Sequence, residues 1–424
     1  MPSFEHSPVL QDQTRQVLVI GAGLAGAAAC STLAKKGWQI TLIDAASGPA
    51  QAASALPVGM LSTHVTRSPT PLSRLCDAGV QAMRAELERL LQPGAGWQAC
   101  EVDNLQHDPG RWPAALVRPG AVVQAWLAEA AQTGKLATLW HREVHALLPS
   151  TSFSGETLWQ ALGNDGELLA QAPWVVVAAA FGSHRLLTAE RALVPADAWP
   201  LRPVKGQMSL GALNGAPLAE RPQRQSGVYV PQYEDDGLPP HWPARIWAMG
   251  STYDRGDNSH HTTPEAHARN AVSLGAMLPA AALAFQQARD SGALLGWAQV
   301  RCASLDRLPL AGAVPDVAAL RDTMNNAGPR RGRLTLNEMP RLPGLFTLSA
   351  LGSRGLTLAL PMAQLLAQQM SGEATSLEDD LRNAVDPARF AWRLARRQTA
   401  PAPNADAPCT APVQRDPEAD PARH

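Results

Sequence analysis

The stretch QVLVIGAGLAG, residues 16–26, decides the fold of this chain, because it joins a short apolar run directly to a spaced set of glycines. A β-branched apolar run is typical of a strand that is buried on both faces. Gly21, Gly23 and Gly26 then follow the pattern G-x-G-x-x-G. In such a turn the first glycine permits the tight bend, the second lets the backbone approach a pyrophosphate, and the third lets a helix pack closely on the strand.

The residues that follow complete a βαβ unit. The small-residue run AAACSTLAKKG (27–37) predicts a helix, and WQITLID (38–44) predicts a second strand that ends at Asp44. A carboxylate at that position can accept hydrogen bonds from ribose hydroxyls, and the helix N-terminus favours a diphosphate. The unit therefore predicts a dinucleotide site made by Gly21, Ala22, Gly23, Leu24, Ala25, Gly26 and Asp44.

A second glycine turn, SALGSRGL (349–356), follows a predicted strand and precedes a predicted helix over residues 357–370. Such a turn would direct backbone N–H groups at another acceptor, for example a carbonyl oxygen of a flavin ring. FAD is long and takes contacts from both ends of a chain, whereas NAD enzymes seldom need this second element. The two turns together favour FAD over NAD, although an ordinary strand–helix connection would use the same residues.

Composition excludes several classes of protein. The 424 residues have a formal net charge of −1, which argues against nucleic-acid binding through bulk charge alone. The five cysteines are widely scattered, so they predict neither a zinc site nor a disulfide framework, and we expect reduced thiols. The N-terminus is polar and acidic, unlike a signal peptide, and no uncharged apolar run is long enough to span a membrane. We expect a cytoplasmic protein with no metal and no membrane contact.

The remaining sequence patterns predict further elements. Helical periodicity marks residues 72–92, 121–133 and 264–289. Strand patterns mark residues 136–148 and 172–182, the latter ending at Gly182, and short strands with turns between 200 and 260 predict an antiparallel sheet. Residues 318–335 are polar and predict an exposed loop.

These elements predict an α/β fold, with a Rossmann-like FAD-binding domain and a second, antiparallel-sheet substrate domain. We expect the FAD-binding domain to be discontinuous, over residues 15–70, 118–200 and 299–398. The substrate domain would then consist of residues 71–117 and 201–298. Residues 1–14 would form an N-terminal tail, and the Pro/Ala-rich residues 399–424 a disordered C-terminal tail.

Several motifs, in their order, resemble the glycine-oxidase and D-amino-acid-oxidase superfamily of FAD enzymes. They are VIGAGLAG, AASALPVGMLSTH (52–64), RPGAVVQAWL (118–127), PVKGQ (203–207), GVYVPQY (227–233) and VRCASLDRLPLAG (300–312). In detail RCASLDRLPLAGAVPD, GSTYDRG and VDPARFAWRLARR resemble the FAD-dependent C-terminal half of the bifunctional enzymes of tRNA 5-methylaminomethyl-2-thiouridine biosynthesis. The resemblance spans roughly residues 15–397. It implies a stand-alone form of the oxidative half, with any methyltransferase supplied as a separate protein.

The resemblance also implies roles for residues outside the first glycine turn. Ser54 and the loop from Val58 to Leu61 would follow the pyrophosphate and the flavin edge, Val144 would offer backbone groups to the adenine, and Gly182 would close a strand beneath the dinucleotide. The loop residues are Val58, Gly59, Met60 and Leu61, and those facing the flavin pyrimidine ring are Gly352, Ser353, Arg354, Gly355 and Leu356. The run AAAFG (178–182) departs from the family's usual Ala-Thr/Asn-Gly, which puts side-chain contacts there in doubt.

The implied substrate carries a secondary amine, a CH2 group and a carboxylate on the wobble uridine of tRNA. Hydride transfer to flavin and hydrolysis of the imine would give a primary amine and glyoxylate. Arg301 stands where the superfamily has its carboxylate-binding arginine, although a salt bridge to Asp306 would explain it too. Tyr229 would either supply a hydroxyl to the carboxylate or pack in the core, and His64 would either lie near the flavin or be a packed loop histidine.

Two arginine clusters bear on tRNA binding. They are Arg330, Arg331 and Arg333, and Arg389, Arg393, Arg396 and Arg397, which lie at helical spacing. Both would hold phosphates or would simply be solvated surface. Two other functions stay open from the sequence: an oxidase or dehydrogenase of free glycine, sarcosine or D-amino acids, and a flavin-fold binding protein without turnover.

Overall fold

The computed structural model describes residues 15–152, 155, 157–189, 192–326 and 335–398. The helices are α1 Leu24–Lys35, α2 Pro71–Leu90, α3 Pro119–Gln132, α4 Gly182–Thr188, α5 Pro264–Met277, α6 Pro279–Asp290, α7 Val317–Asn326, α8 Gly355–Met370, α9 Asp379–Val385 and α10 Arg389–Gln398. The strands are β1 Gln16–Ile20, β2 Gln39–Ile43, β3 Gly59–Ser62, β4 Trp97–Asn104, β5 Gly110–Val117, β6 Leu136–Leu139, β7 Ala146–Thr151, β8 Thr157–Leu162, β9 Leu168–Ala172, β10 Trp174–Val177, β11 Leu201–Ala212, β12 Gln223–Gln225, β13 Gly227–Glu234, β14 Arg245–Gly250, β15 Asp254–Arg255, β16 Leu295–Ser304, β17 Leu310–Pro315 and β18 Arg341–Ser349.

A six-stranded sheet in the order β17-β18-β10-β1-β2-β6 contains the predicted βαβ unit. Strands β18, β10, β1, β2 and β6 run parallel, and β17 pairs antiparallel at one edge. Both faces are buried: Val17 and Val19 pack on the side of α1, whereas Leu18 and Ile20 pack with the core on the opposite side. This arrangement explains why β1 is an uninterrupted apolar run, and it confirms the predicted α/β class.

A nine-stranded sheet holds the predicted antiparallel region. Its main path is β15-β11-β14-β13-β12-β4-β5-β3, and β16 also pairs with β11 over the length of that strand. A third, three-stranded sheet consists of β7, β8 and β9. The ends of the parallel strands and one face of the nine-stranded sheet enclose the cavity described below.

The predicted domain boundaries stay a prediction. Strand β3, from the first predicted FAD segment, pairs with β5 in the nine-stranded sheet. Helix α2, from the predicted substrate domain, buries Leu75, Val80 and Met83 in the same apolar core as Leu358 and Met362 of α8. Each predicted domain therefore contributes an element, β3 or α2, that packs with the other predicted domain.

Three local predictions were wrong. Residues 317–326 form α7 rather than a loop, because Val317, Leu320 and Met324 make a buried face while polar residues such as Arg321 point outward. The strand predicted up to Gly182 ends at Val177, and Gly182 begins α4. The strand pattern over residues 136–148 is two strands, β6 and β7, which belong to different sheets.

Two further predictions fall on parts of the chain outside the described residues. They are the two tails and the arginine cluster of Arg330, Arg331 and Arg333. Within the described residues, every helix is too short or too polar to traverse a lipid bilayer.

Candidate active site

The turn between β1 and α1 needs glycine at two positions. Gly21 has a φ of +106°, and a Cβ added there would lie 2.6 Å from the carbonyl oxygen of Ala178. A Cβ added at Gly26 would lie only 1.7 Å from the carbonyl oxygen of Gly21. The packing of α1 on the strand thus leaves no room for side chains, and it presents bare backbone at the start of the helix.

Two polar side chains hold this turn in place. The N–H of Leu24 donates to Ser54 Oγ at 3.0 Å. The N–H of Ala22 donates to Asp44 Oδ2 at 2.6 Å, and the N–H of Ala46 donates to Asp44 Oδ1 at 2.8 Å. Each carboxylate oxygen of Asp44 keeps acceptor capacity, so this partly buried group at the end of β2 is oriented to receive hydroxyl donors such as those of a ribose.

A cavity of about 480 Å³ opens beside the turn. The ends of β10 and β18 form one wall, and Met208, Val228, Val230 and Trp297 of the nine-stranded sheet form another. Many of the residues singled out in the sequence line it: Gly23, Leu24, Ala25, Ser54, Val58, Gly59, Met60, His64, Arg301, Gly352, Ser353, Arg354, Gly355 and Leu356.

Other predicted residues lie elsewhere. Leu61 and Val144 are buried in the apolar cores. Tyr229 packs with Trp247 and Met249 on the face of β13 opposite to the cavity, because side chains alternate along a strand and its neighbours Val228 and Val230 face the cavity. Burial raises the pKa of Tyr229 to about 12. A hydroxyl contact from Tyr229 to a ligand in the cavity does not fit this geometry, and its core-packing alternative does.

Arg301 projects from β16 into the cavity wall. Its guanidinium donates to Ser251 Oγ at 3.0 Å and to the carbonyl oxygen of Thr252 at 2.8 Å, and it lies 5.1 Å from the ring centroid of Tyr253. A Cβ at Gly206 would lie 2.2 Å from Arg301 Nη2, so glycine there makes room for the group. Among the described residues no atom accepts a hydrogen bond from the buried Arg301 Nε.

The alternative salt bridge between Arg301 and Asp306 is not formed. Asp306 is instead bound by Arg389, whose Nε and Nη2 donate to its two oxygens at 3.0 and 2.8 Å. Arg393 adds a contact of 3.2 Å to the same carboxylate. These bonds keep the pKa of Asp306 below its usual value although burial acts to raise it. Among the described residues no carboxylate forms an ion pair with Arg301, and Asp254 acts on its charge only through space.

The same contacts correct the predicted surface cluster on α10. The side chain of Arg389 is only 3% exposed and also donates to the carbonyl oxygen of Pro309, so it faces the protein interior and cannot contact RNA. Arg393 is exposed but paired, Arg396 stacks on Trp392, and Arg397 is exposed. Helical spacing predicted that these arginines share one side of a helix, but Arg389 on that side packs against the turn after β16.

His64 lines the cavity next to Arg354. Arg354 Nη2 lies 3.4 Å from both ring nitrogens of His64. Burial, together with the charges of Arg354 and Arg224, lowers the pKa of His64 from 6.5 to about 4. The imidazole is therefore neutral at neutral pH.

This shift predicts a pH dependence of stability. Between pH 6.5 and about 4 the unfolded chain binds a proton at His64 that the folded protein does not bind, so the free energy of unfolding falls as the pH falls through this window. We expect His64→Gln to flatten that fall. Urea unfolding midpoints at pH 7 and pH 5, at a fixed FAD concentration, measure it, and identical pH slopes in both proteins would contradict the prediction.

Two cavity residues have no role in the sequence analysis. Arg224 lies on the short strand β12, and Tyr253 follows β14 with 46% of its surface exposed at the cavity mouth. Tyr253 lies within GSTYDRG, one of the motifs that carry the family resemblance, but the resemblance assigned no role to this tyrosine. Arg224 sits in QRQSG, a polar stretch without any helix or strand period, so no sequence pattern marks it.

The charge of the cavity is one-sided. Arg224, Arg301 and Arg354 line it, and among the described residues no Asp or Glu does. Ser349 adds a buried hydroxyl without a partner in the described part of the chain. Together these features fit a long anionic dinucleotide whose ring carries carbonyl acceptors. The exposed backbone at the start of α1 suits the diphosphate, the carboxylate of Asp44 suits ribose hydroxyls, and the cationic cavity suits the ring.

Comparisons with known proteins agree with this fit. A family model described as FAD dependent oxidoreductase (DAO) matches residues 16–116 and 111–369. The chain is 36% identical to the tRNA 5-methylaminomethyl-2-thiouridine biosynthesis bifunctional protein MnmC of Verminephrobacter eiseniae, over 88% of this chain and 64% of the relative. It is 35% identical to the protein of the same name from Paracidovorax citrulli, over 88% and 60%. The chain thus spans less than two thirds of the length of these relatives.

Solved structures share the fold at low identity. Glycine oxidase from Bacillus cereus has a TM-score of 0.60 and 16% identity, over 87% of this chain and 97% of that structure. Iminodiacetate oxidase from Chelativorans sp. BNC1 has a TM-score of 0.60 and 19% identity, over 88% and 98%. With the glycine turn, the cavity and a family match over most of its length, this chain belongs to the family of FAD-dependent oxidoreductases of the DAO type.

Proposed function

We propose that this oxidoreductase removes the carboxymethyl group from 5-carboxymethylaminomethyl-(2-thio)uridine at the wobble position of tRNA. The observation that carries the proposal is Arg301, a half-buried cation in the wall of the cavity that residues 352–356 also line, whose buried Nε has no acceptor among the described residues. A planar guanidinium suits a carboxylate, and the glycine-like arm of this nucleoside presents one. The names of the bifunctional relatives support the nucleoside as its carrier.

FAD, when bound, supplies an acceptor for the hydride of the CH2 group beside the amine. Arg301 binds the carboxylate and fixes the position of that CH2 group, while Ser251, Thr252 and Tyr253 orient Arg301. The amine lone pair forms the new C=N bond as the hydride leaves. Water then adds to the imine and releases the aminomethyl nucleoside and glyoxylate.

The positive lining of the cavity assists this chemistry before any bond changes. The amine must be neutral to give up a hydride from its neighbouring carbon, and nearby cations lower the pKa of an amine. Three arginines supply that effect, and His64 adds none of its own charge at neutral pH. No side chain is then needed as an obligatory base.

The mouth of the cavity supports a macromolecular substrate. Tyr253 is partly exposed there and is held over Arg301. An exposed aromatic ring can stack on a base that has turned out of an RNA loop. Exposed Arg397 and the paired Arg393 offer positive charge on α10 for the phosphates.

Cellular context follows from the substrate. We propose that the protein acts on tRNA in the cytoplasm, which agrees with four described cysteines that form no disulfide, Cys30, Cys76, Cys100 and Cys302. The bifunctional relatives are named for synthesis of the methylaminomethyl nucleoside. A methyltransferase on a separate chain would then act on the aminomethyl product.

Nucleoside mass analysis of tRNA, incubated with the FAD-loaded protein, tests the proposed function. We expect loss of carboxymethylaminomethyl-uridine and an equal gain of aminomethyl-uridine, with release of glyoxylate. Unchanged tRNA together with peroxide from glycine or sarcosine would contradict it and indicate an amino-acid oxidase. Unchanged tRNA without turnover of either amino acid would indicate a flavin-fold binding protein.

A further inference from the structure

One guanidinium of the cavity, that of Arg224, has no assigned ligand in the proposed reaction beyond its share of the positive charge. We propose that Arg224 determines specificity, by donating from Nη2 to a ring carbonyl of the pyrimidine that carries the carboxymethylaminomethyl arm. This inference rests on the proposed function. It deepens that function by assigning the base, and not only its arm, to a residue of this chain.

Arg224 donates three hydrogen bonds through Nε and Nη1, and its third nitrogen, Nη2, takes part in none of them. Its Nε donates to Asn104 Oδ1 at 3.0 Å, and its Nη1 donates to Ser62 Oγ at 2.9 Å and to the carbonyl oxygen of Thr63 at 2.8 Å. Asn104 is itself buried and fixed by the carbonyl oxygens of His107 and Asp108. The remaining Nη2 is buried and has no acceptor among the described residues.

The charge of Arg224 is also uncompensated. All of its hydrogen-bond acceptors are neutral, and within the described part of the chain no carboxylate forms an ion pair with it. Burial lowers the pKa of Arg224 from its ordinary value. A buried donor without an acceptor is costly unless a ligand supplies one, and Nη2 of this half-buried side chain belongs to a residue that lines the cavity, where a ligand can do so.

Arg224 and Arg301 lie on different, non-adjacent strands of the cavity wall. Arg224 lies on β12 beside the loop that carries His64, whereas Arg301 lies on β16 beside Tyr253. Strands β13, β14 and β11 separate β12 from β16 in the sheet. A molecule as small as glycine has one carboxylate and satisfies one guanidinium at a time. A pyrimidine with a glycine-like arm has acceptors at both ends.

The ring carbonyl is the acceptor that this position favours. In the proposed nucleoside a carbonyl neighbours the ring carbon that bears the arm, so it enters the cavity together with the arm. A donor built to meet it would reject a ligand of the same shape that lacks it, because the buried donor would then stay unpaired.

Matched ligands and variants test this assignment. The ligands are 5-carboxymethylaminomethyluridine and N-benzylglycine, which has the same secondary amine, CH2 and carboxylate on a ring without carbonyls. Dissociation constants come from changes in the visible flavin spectrum of the FAD-loaded protein. We expect Arg224→Met to weaken the nucleoside about 10- to 100-fold and N-benzylglycine less than about 2-fold. Arg301→Met is expected to weaken both.

The outcomes separate the possible roles of Arg224. Equal weakening of both ligands, or loss of bound FAD, would overturn the assignment and make Arg224 a support for the loop at Thr63 or for the cofactor. Unchanged nucleoside binding in Arg224→Met would overturn it as well. Failure of the proposed function shows separately, because wild-type protein would then leave the modified tRNA unchanged.

Discussion

Arg301→Ala is expected to lower kcat/KM for the modified tRNA by about 10²- to 10³-fold while the visible flavin spectrum stays unchanged. The loss corresponds to about 3–4 kcal/mol, which lies within the usual cost of removing one partner from a desolvated charge pair. Arg301 is half-buried in the wall, and no acid of the described residues lines the cavity beside it. The substrate carboxylate would enter the same wall without a counter-ion. Steady-state kinetics with nucleoside detection measure the effect.

Two companion variants make this result specific. Arg202→Ala removes an exposed arginine on β11, the strand that pairs with β16, and is expected to leave kcat/KM within about 2-fold. Arg301→Lys keeps the charge but loses the planar fork, so we expect partial activity. Normal turnover by Arg301→Ala would show that the carboxylate binds elsewhere.

Gly26→Ala is expected to abolish FAD binding. The added Cβ would lie 1.7 Å from the carbonyl oxygen of Gly21, so α1 would have to move away from β1 and the turn would lose its approach to the diphosphate. Backbone atoms make this clash, and they have no rotamer by which to yield. Visible absorbance after purification in excess FAD measures the cofactor content, and far-ultraviolet circular dichroism shows whether the chain folds.

Alanine substitutions at two other glycines are expected to disturb FAD binding less than Gly26→Ala does. At Gly23 an added Cβ would meet Ser54 Oγ at 3.1 Å, which a small movement relieves, so Gly23→Ala is expected to weaken FAD binding without abolishing it. At Gly48 nothing lies within 4 Å of an added Cβ, and Gly48→Ala serves as the neutral control. Full FAD content in folded Gly26→Ala would refute the role of this turn.

The sequence predicts best where the determinant is local. Gly26 and Asp44 are set by one βαβ unit, in which Gly26 meets the backbone of Gly21 and Asp44 accepts from the N–H of Ala22. The role of Arg301 could be predicted only from the family resemblance, because its partners Ser251 and Thr252 are about fifty positions away in the chain. Its environment comes from strand pairing that no short pattern encodes.

The limits of the sequence have equally physical causes. The alternation of side chains along β13 predicts that Tyr229 faces away from Val228 and Val230, but it does not predict which face of the strand lines the cavity. Helical spacing groups Arg389 with Arg393, but it cannot reveal that both side chains form ion pairs with Asp306. Arg224 carries no pattern because its role depends on Asn104 and Ser62, which lie on strands that meet it only in the folded sheet.

The bond between Asp306 and Arg389 has a consequence for the order in which the protein is made. The carboxylate lies just beyond the strand of Arg301, and the arginine that neutralises it emerges from the ribosome 83 residues later. Until then the turn after β16 holds a charge that the finished protein buries. Domains form from the N-terminus during synthesis, so the glycine turn can assemble early. The turn that follows the strand of Arg301, by contrast, gains its neutralising partner only when α10 docks.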